Sequence, residues 1–119
     1  MKCILVLVFL GSVAWVQPAS AQTSGNDLRD QCEAATRRET GIKAGLCIGF
    51  INGYQQLAVM LPASANIKLA CWPDGATPIQ IAKIVVRYLD QHPEKLHLPA
   101  AQLIYDATSD VFPCSTEKK

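Results

Sequence analysis

Residues 44–61 read AGLCIGFINGYQQLAVML, and this stretch decides the fold class. Cys47, Phe50, Ile51, Tyr54, Leu57, Ala58 and Leu61 recur every three to four positions. That is the 3.6-residue period of an amphipathic helix, and no two-residue alternation competes with it. A second row, Gly45, Gly49 and Gly53, recurs every four residues on the same predicted helix. Each glycine costs a helix about 1 kcal/mol relative to alanine. Three in register predict a smooth groove against which another helix backbone packs closely. Asn52, Gln55 and Gln56 argue against a membrane-buried face.

Upstream, Ser24-x-x-Asp27 has the form of a capping box, with Asn26 as an alternative cap. Leu28, Cys32 and Ala35 follow at helical spacing. They predict a helix from about Asp27 to Arg38, ending near Gly41. Downstream, Leu61-Pro62 stops the long helix. Pro62 to Ala76 then reads as an irregular connection containing Cys71, Trp72, Pro73, Asp74 and Gly75. Thr77-Pro78-Ile79-Gln80 predicts the next helix start, with Thr77 as cap, Pro78 in the first turn and Gln80 reaching back. Its buried stripe is Ile81, Ala82, Val85, Tyr88 and Leu89, and it should stop near Gln91, before His92-Pro93. After a short turn, Pro99 opens a last helix with the stripe Ala100, Leu103, Ile104, Ala107 and Val111, closed by Phe112-Pro113-Cys114. The expected architecture is all-α, a small four-helix domain.

The chain has 119 residues, with 11 Lys+Arg against 10 Asp+Glu. Lys2 precedes an apolar run, Ile4 to Val16, and Ala19-Ser20-Ala21 supplies a small-x-small cleavage site. Residues 1–21 thus read as a secretory signal peptide, because the run is too short for a transmembrane anchor. Residues 22–119 read as one domain, expected to be soluble in a bacterial periplasm and free of the membrane after cleavage. Without Lys2 its charges balance, which speaks against a phosphate-backbone partner, so no nucleic acid is expected.

Four cysteines remain after the leader: Cys32, Cys47, Cys71 and Cys114. An even number in a small exported domain reads as two disulfides. The spacing shows no CxxC, no CxxCH and no close Cys/His cluster, so neither zinc, haem nor a redox motif is indicated. Cys32 and Cys47 lie nearly symmetrically about the turn of a helical hairpin, which favours their pairing and leaves Cys71 for Cys114.

A search for chemistry finds no catalytic constellation. His92 and His97 are the only histidines, and no G-x-S-x-G nucleophile elbow is present. His92 is expected to cap a helix end. Asp106 and Asp110 read as a solvated face rather than a cation site. No metal, cofactor or phosphate cradle is expected, and the chain reads as a non-enzyme.

Several short motifs together resemble one family. Cys47-Ile48-Gly49-Phe50-Ile51-Asn52-Gly53 is similar to its helix signature. Cys71-Trp72-Pro73-Asp74-Gly75-Ala76-Thr77-Pro78-Ile79-Gln80 is similar to its Cys-x-Pro-x-Gly-x-Thr-x-x-Gln segment. Tyr88-Leu89, the His92-Pro93-Glu94 turn and the Phe112-Pro113-Cys114 end complete the match. This is the Rap/Tai family of periplasmic immunity proteins associated with type VI secretion. Where members often carry an acid, Gly53 is followed by Tyr54-Gln55-Gln56. The resemblance implies an all-helical protein, often a homodimer, that binds and blocks a peptidoglycan-cleaving amidase toxin. Lys68, Trp72 and Asp74 in the long connection, then His92 and Glu94 in the later turn, are the candidate partner-binding residues. The alternative function is a small stress-protective periplasmic chaperone.

Overall fold

The computed structural model describes residues 22–61 and 71–114. The leader, most of the long connection (Lys68 included) and the last five residues lie outside them. Four helices follow in order: α1, Gly25–Thr36; α2, Ile42–Met60; α3, Pro78–Gln91; and α4, Ala100–Val111. A 3-10 turn, Pro93–Lys95, lies between α3 and α4. The described residues contain no strand, only one isolated bridge between Ser24 and Pro99. The fold is all-α, as the periodicity requires.

Two helix starts form as their sequences dictate. Ser24 accepts from the Asp27 amide while the Asp27 carboxylate accepts from the Ser24 amide at 3.1 Å, a complete capping box. Thr77 and Gln80 repeat the arrangement at α3, with Pro78 in the first turn. Donors that are orphaned at a helix start are thus satisfied locally. The predicted end of α1 needs correction. Arg38, not Gly41, takes the left-handed conformation, at φ 58°. The Arg38 amide donates to the Ala35 carbonyl and the Glu39 amide to the Ala34 carbonyl. Together these bonds close a Schellman motif. Gly41 instead begins α2, at φ 146°.

The starts of α1 and α4 cap each other through the backbone. The Gly25 and Asn26 amides donate to the Leu98 and Leu96 carbonyls at 2.9 and 3.0 Å. In return the Ala100 amide donates to the Thr23 carbonyl at 2.9 Å.

α1 and α3 form the centre of the bundle, each packing against all the other helices. The core contains Leu28, Cys32, Cys47, Ile51, Ile81, Val85, Leu89, Leu103 and Ile104, all fully buried. The α3 stripe is buried as predicted. In α4 the buried position after Ala107 is Thr108, while Val111 is exposed. Thr108 tolerates burial because its hydroxyl donates to the Ile104 carbonyl at 2.7 Å.

Both expected disulfides are present. Cys32–Cys47 joins α1 to α2 with a Cα separation of 5.0 Å. Cys71–Cys114 joins the segment before α3 to the end of α4, at 5.1 Å.

The glycine row does not have its expected place. Gly45, Gly49 and Gly53 are exposed, and among the described residues nothing lies within 4 Å of a Cβ built at any of them. α2 faces the core through Cys47, Ile51 and Tyr54, on its opposite side. The disulfide sets that orientation, so among the described residues the row is a surface feature rather than a packing groove.

Candidate interaction surface

The candidate surface begins with the segment 71–76. Cys71 ties it to α4, and Gln55 of α2 donates to the Ala76 carbonyl at 3.4 Å. Trp72 is half-buried and packs edge-on against Tyr54, with ring centroids 5.9 Å apart. It therefore plugs the core beside the disulfide, and only part of the indole is left to a partner. Asp74 is exposed and free of ion pairs among the described residues. It lines a groove of about 390 Å³ together with Ala76, Ile84, Lys83 and Phe112.

The second candidate patch is the turn after α3. His92 stacks on Tyr88 at 4.1 Å between centroids. Its Nδ1 lies 2.8 Å from the Tyr88 carbonyl oxygen, so that nitrogen donates. His92 thus caps the helix end, where a basic ring also suits the dipole. Lys95 lies over the Tyr88 ring and donates to its hydroxyl at 2.6 Å. That hydrogen bond holds the Lys95 ammonium above the ordinary lysine range. Glu94 is exposed, as is His97. The groove beside Asp74 includes neither His92 nor Glu94.

Charge is distributed unevenly between the two halves of the fold. On the α1–α2 side every cation but Arg38 is paired: Arg29 with Glu33 and with Asp90 of α3, Arg37 with Glu33 and Glu39, and Lys43 with Asp30. The Arg29–Asp90 bond, 2.7 Å, also ties α1 to α3 and raises the Arg29 pKa. α3 carries two further exposed cations, Lys83 and Arg87, that pair with nothing among the described residues. Sequence reading followed only the buried stripe of α3 and passed over them. The sequence held only part of the signal: no acid precedes Lys83 by a turn, but Asp90 follows Arg87 by three positions, and the structure gives Asp90 to Arg29 of α1 instead.

α2 presents a different surface. Ile42, Leu46, Leu57, Val59 and Met60 are exposed around the glycine row. Lys43 is the only charged residue in the whole helix.

Neither a curated protein nor a solved structure matches the chain. The family model of the Rap1a immunity proteins matches it over residues 24–114, from the α1 cap to the last disulfide cysteine. That span contains every helix among the described residues, both bridges and both candidate patches. An immunity protein acts by binding a toxin, which requires presented surface rather than reacting groups. The chain accordingly belongs to the Rap1a immunity protein family, whose members protect against secreted toxins.

Proposed function

We propose that this protein is a periplasmic immunity protein that binds and blocks a type VI secretion toxin, a peptidoglycan-cleaving amidase. The observation that carries the reading is the family match across the whole helical domain. In this reading residues 1–21 direct export and are removed. Inhibition needs only occlusion of the toxin's cleft. A surface held rigid by disulfides loses little conformational entropy on docking. The tethered connection with Lys68, Trp72 and Asp74 is the first contact region. The His92–Leu98 turn, with Glu94, is the second.

A second copy of the chain fits the outer face of α2. That face bears almost no charge, so two copies meet without repulsion. Its exposed apolar side chains would leave water, and the glycine row admits a close helix approach. The same apolar face is the observation that would suit a chaperone instead.

Co-expression with a peptidoglycan amidase toxin of the producing strain tests the reading. The expected result is rescue of the cells only when the protein is exported, with recovery of a stable complex. Rescue without export, or no complex between the purified proteins, would refute it. Broad suppression of client aggregation without toxin binding would select the chaperone.

A further inference from the structure

We propose that the outward face of α3, centred on Lys83, Ile84 and Arg87, docks an acidic segment of the toxin. The segment would present two carboxylates about one helical turn apart, with an apolar side chain between them. The inference rests on the immunity reading and deepens it by naming the surface and the chemistry of its partner.

Three observations support this placement. First, the fold makes no use of the two cations. Arg29, Arg37 and Lys43 enter ion pairs and Lys95 is engaged by Tyr88, whereas Lys83, Arg87 and the isolated turn residue Arg38 have no ion pair among the described residues; only Lys83 and Arg87 stand one turn apart on one helix. Like charges four residues apart repel on a helix, and neither cation lies in the last turn, where the dipole would favour it. Second, the ridge they form stands between clefts. Lys83 and Ile84 line the 390 Å³ groove below Phe112. Lys83 and Arg87 line a 340 Å³ cleft towards Thr36 at the end of α1. Ile84 and Arg87 line a 230 Å³ cleft against Asp110 of α4. Ile84 is half-buried, so its apolar surface is shared between the core and whatever lies on the ridge. Third, the charge pattern has a defined sign. Two cations without ion pairs occupy the centre, while Asp74 and Asp110 line two of the flanking clefts and Asp90, which lines the third, is held by Arg29 at 2.7 Å. Carboxylates seated at the centre would be attracted, and the marginal acids would repel a segment placed out of register.

A guanidinium binds a carboxylate with two parallel hydrogen bonds, and an ammonium binds it as a point charge. On a helix their side chains emerge about 6 Å apart, which sets the carboxylate spacing. Complementary charge of this kind speeds encounter and makes it salt-sensitive.

The test is binding of a peptidoglycan amidase toxin of the producing strain to the full mature chain, measured at low and high salt. Lys83→Glu with Arg87→Glu should weaken binding by about tenfold to a hundredfold. The salt dependence of the association rate should fall with it. Lys83→Gln with Arg87→Gln should give an intermediate loss. Arg38→Glu, at an exposed cation in the α1–α2 turn, should leave binding unchanged. All these side chains lie at the surface, so an unaltered melting temperature verifies the fold. Tight toxin binding that is indifferent to the double charge reversal would overturn this inference and leave the immunity reading standing. Failure of the wild-type protein to bind would overturn both.

Discussion

Gly25 lies directly against the backbone of Leu96. A Cβ built on Gly25 would stand 2.8 Å from the Leu96 carbonyl oxygen and 2.9 Å from its Cα, and would collide with the Leu103 side chain. Only hydrogen fits there, and Leu96 cannot retreat without breaking the bond that its carbonyl accepts from the Asn26 amide.

Gly25→Ala should therefore destabilise the protein. Helix propensity alone favours the substitution by about 1 kcal/mol. Overpacking against backbone costs about 1–3 kcal/mol beyond what relaxation can recover. The collision should win, with a lower urea midpoint at unchanged slope. An equal or higher midpoint would mean that the junction between α1 and the 3-10 turn is looser than its hydrogen bonds indicate.

Arg38 and Gly41 should respond to substitution in opposite ways. Arg38 holds φ 58° with a side chain that contributes no ion pair among the described residues. Arg38→Gly relieves a left-handed strain of about 1–2 kcal/mol, partly offset by the greater freedom of glycine in the unfolded chain. A net gain of about 0.5 kcal/mol is expected. Gly41→Ala imposes a side chain at φ 146° and should cost about 1–3 kcal/mol. Thermal unfolding of the two variants reads both signs.

The pH dependence of stability has an alkaline limb set by Tyr54. Burial, with lesser contributions from Tyr105 and Asp106, pushes its phenol up to about 12 from 10.0. The folded state then holds the proton more tightly than the unfolded state. Stability should be constant with respect to this group below about pH 10 and should decline as pH rises through 12. At the acid end, hydrogen bonds from the Ser24 hydroxyl and amide hold the Asp27 carboxyl below its ordinary range. Its contribution is present above that range and is lost as pH falls through the lowered value. Denaturation across pH, compared with Tyr54→Phe and Asp27→Asn, should show each variant flattening only its own limb.

The two bridges should differ in strength. Cys32–Cys47 spans 15 positions and Cys71–Cys114 spans 43. In the chain-entropy picture, replacing each pair by alanine costs about 3 and about 4 kcal/mol respectively. Unfolding midpoints of the two double variants measure the difference, and equal losses would point to an enthalpic origin.

Local chemistry made much of this fold legible. The α3 start was readable from Thr77, Pro78 and Gln80 because a cap, a fixed φ and a reaching side chain all act within four residues. The first disulfide was readable because a hairpin places symmetric positions opposite each other. The end of α1 was not, since the nearby Gly41 looked like the better left-handed residue while the backbone bonds of the turn placed Arg38 there. Thr108 escaped an apolar pattern because it satisfies its own hydroxyl within the helix. The glycine row was misplaced because α2 is apolar nearly all round, so periodicity alone could not choose the buried side. The cations of α3 were plain in the sequence, but Asp90 stands three positions from Arg87 and its pairing with Arg29 of α1 is set by tertiary packing.

The mutual capping of α1 and α4 has a consequence for biosynthesis. Asn26 waits for Leu96, 70 positions later in the chain. A nascent polypeptide made from its amino end completes α1 first and yet seats it last. The α1–α2 hairpin, with its own cross-link, can close early, but its leading turn stays open to proteases until residues 96–100 have emerged. Molecules cut short before that point lack the latch and should be removed by degradation, so that only full-length protein accumulates.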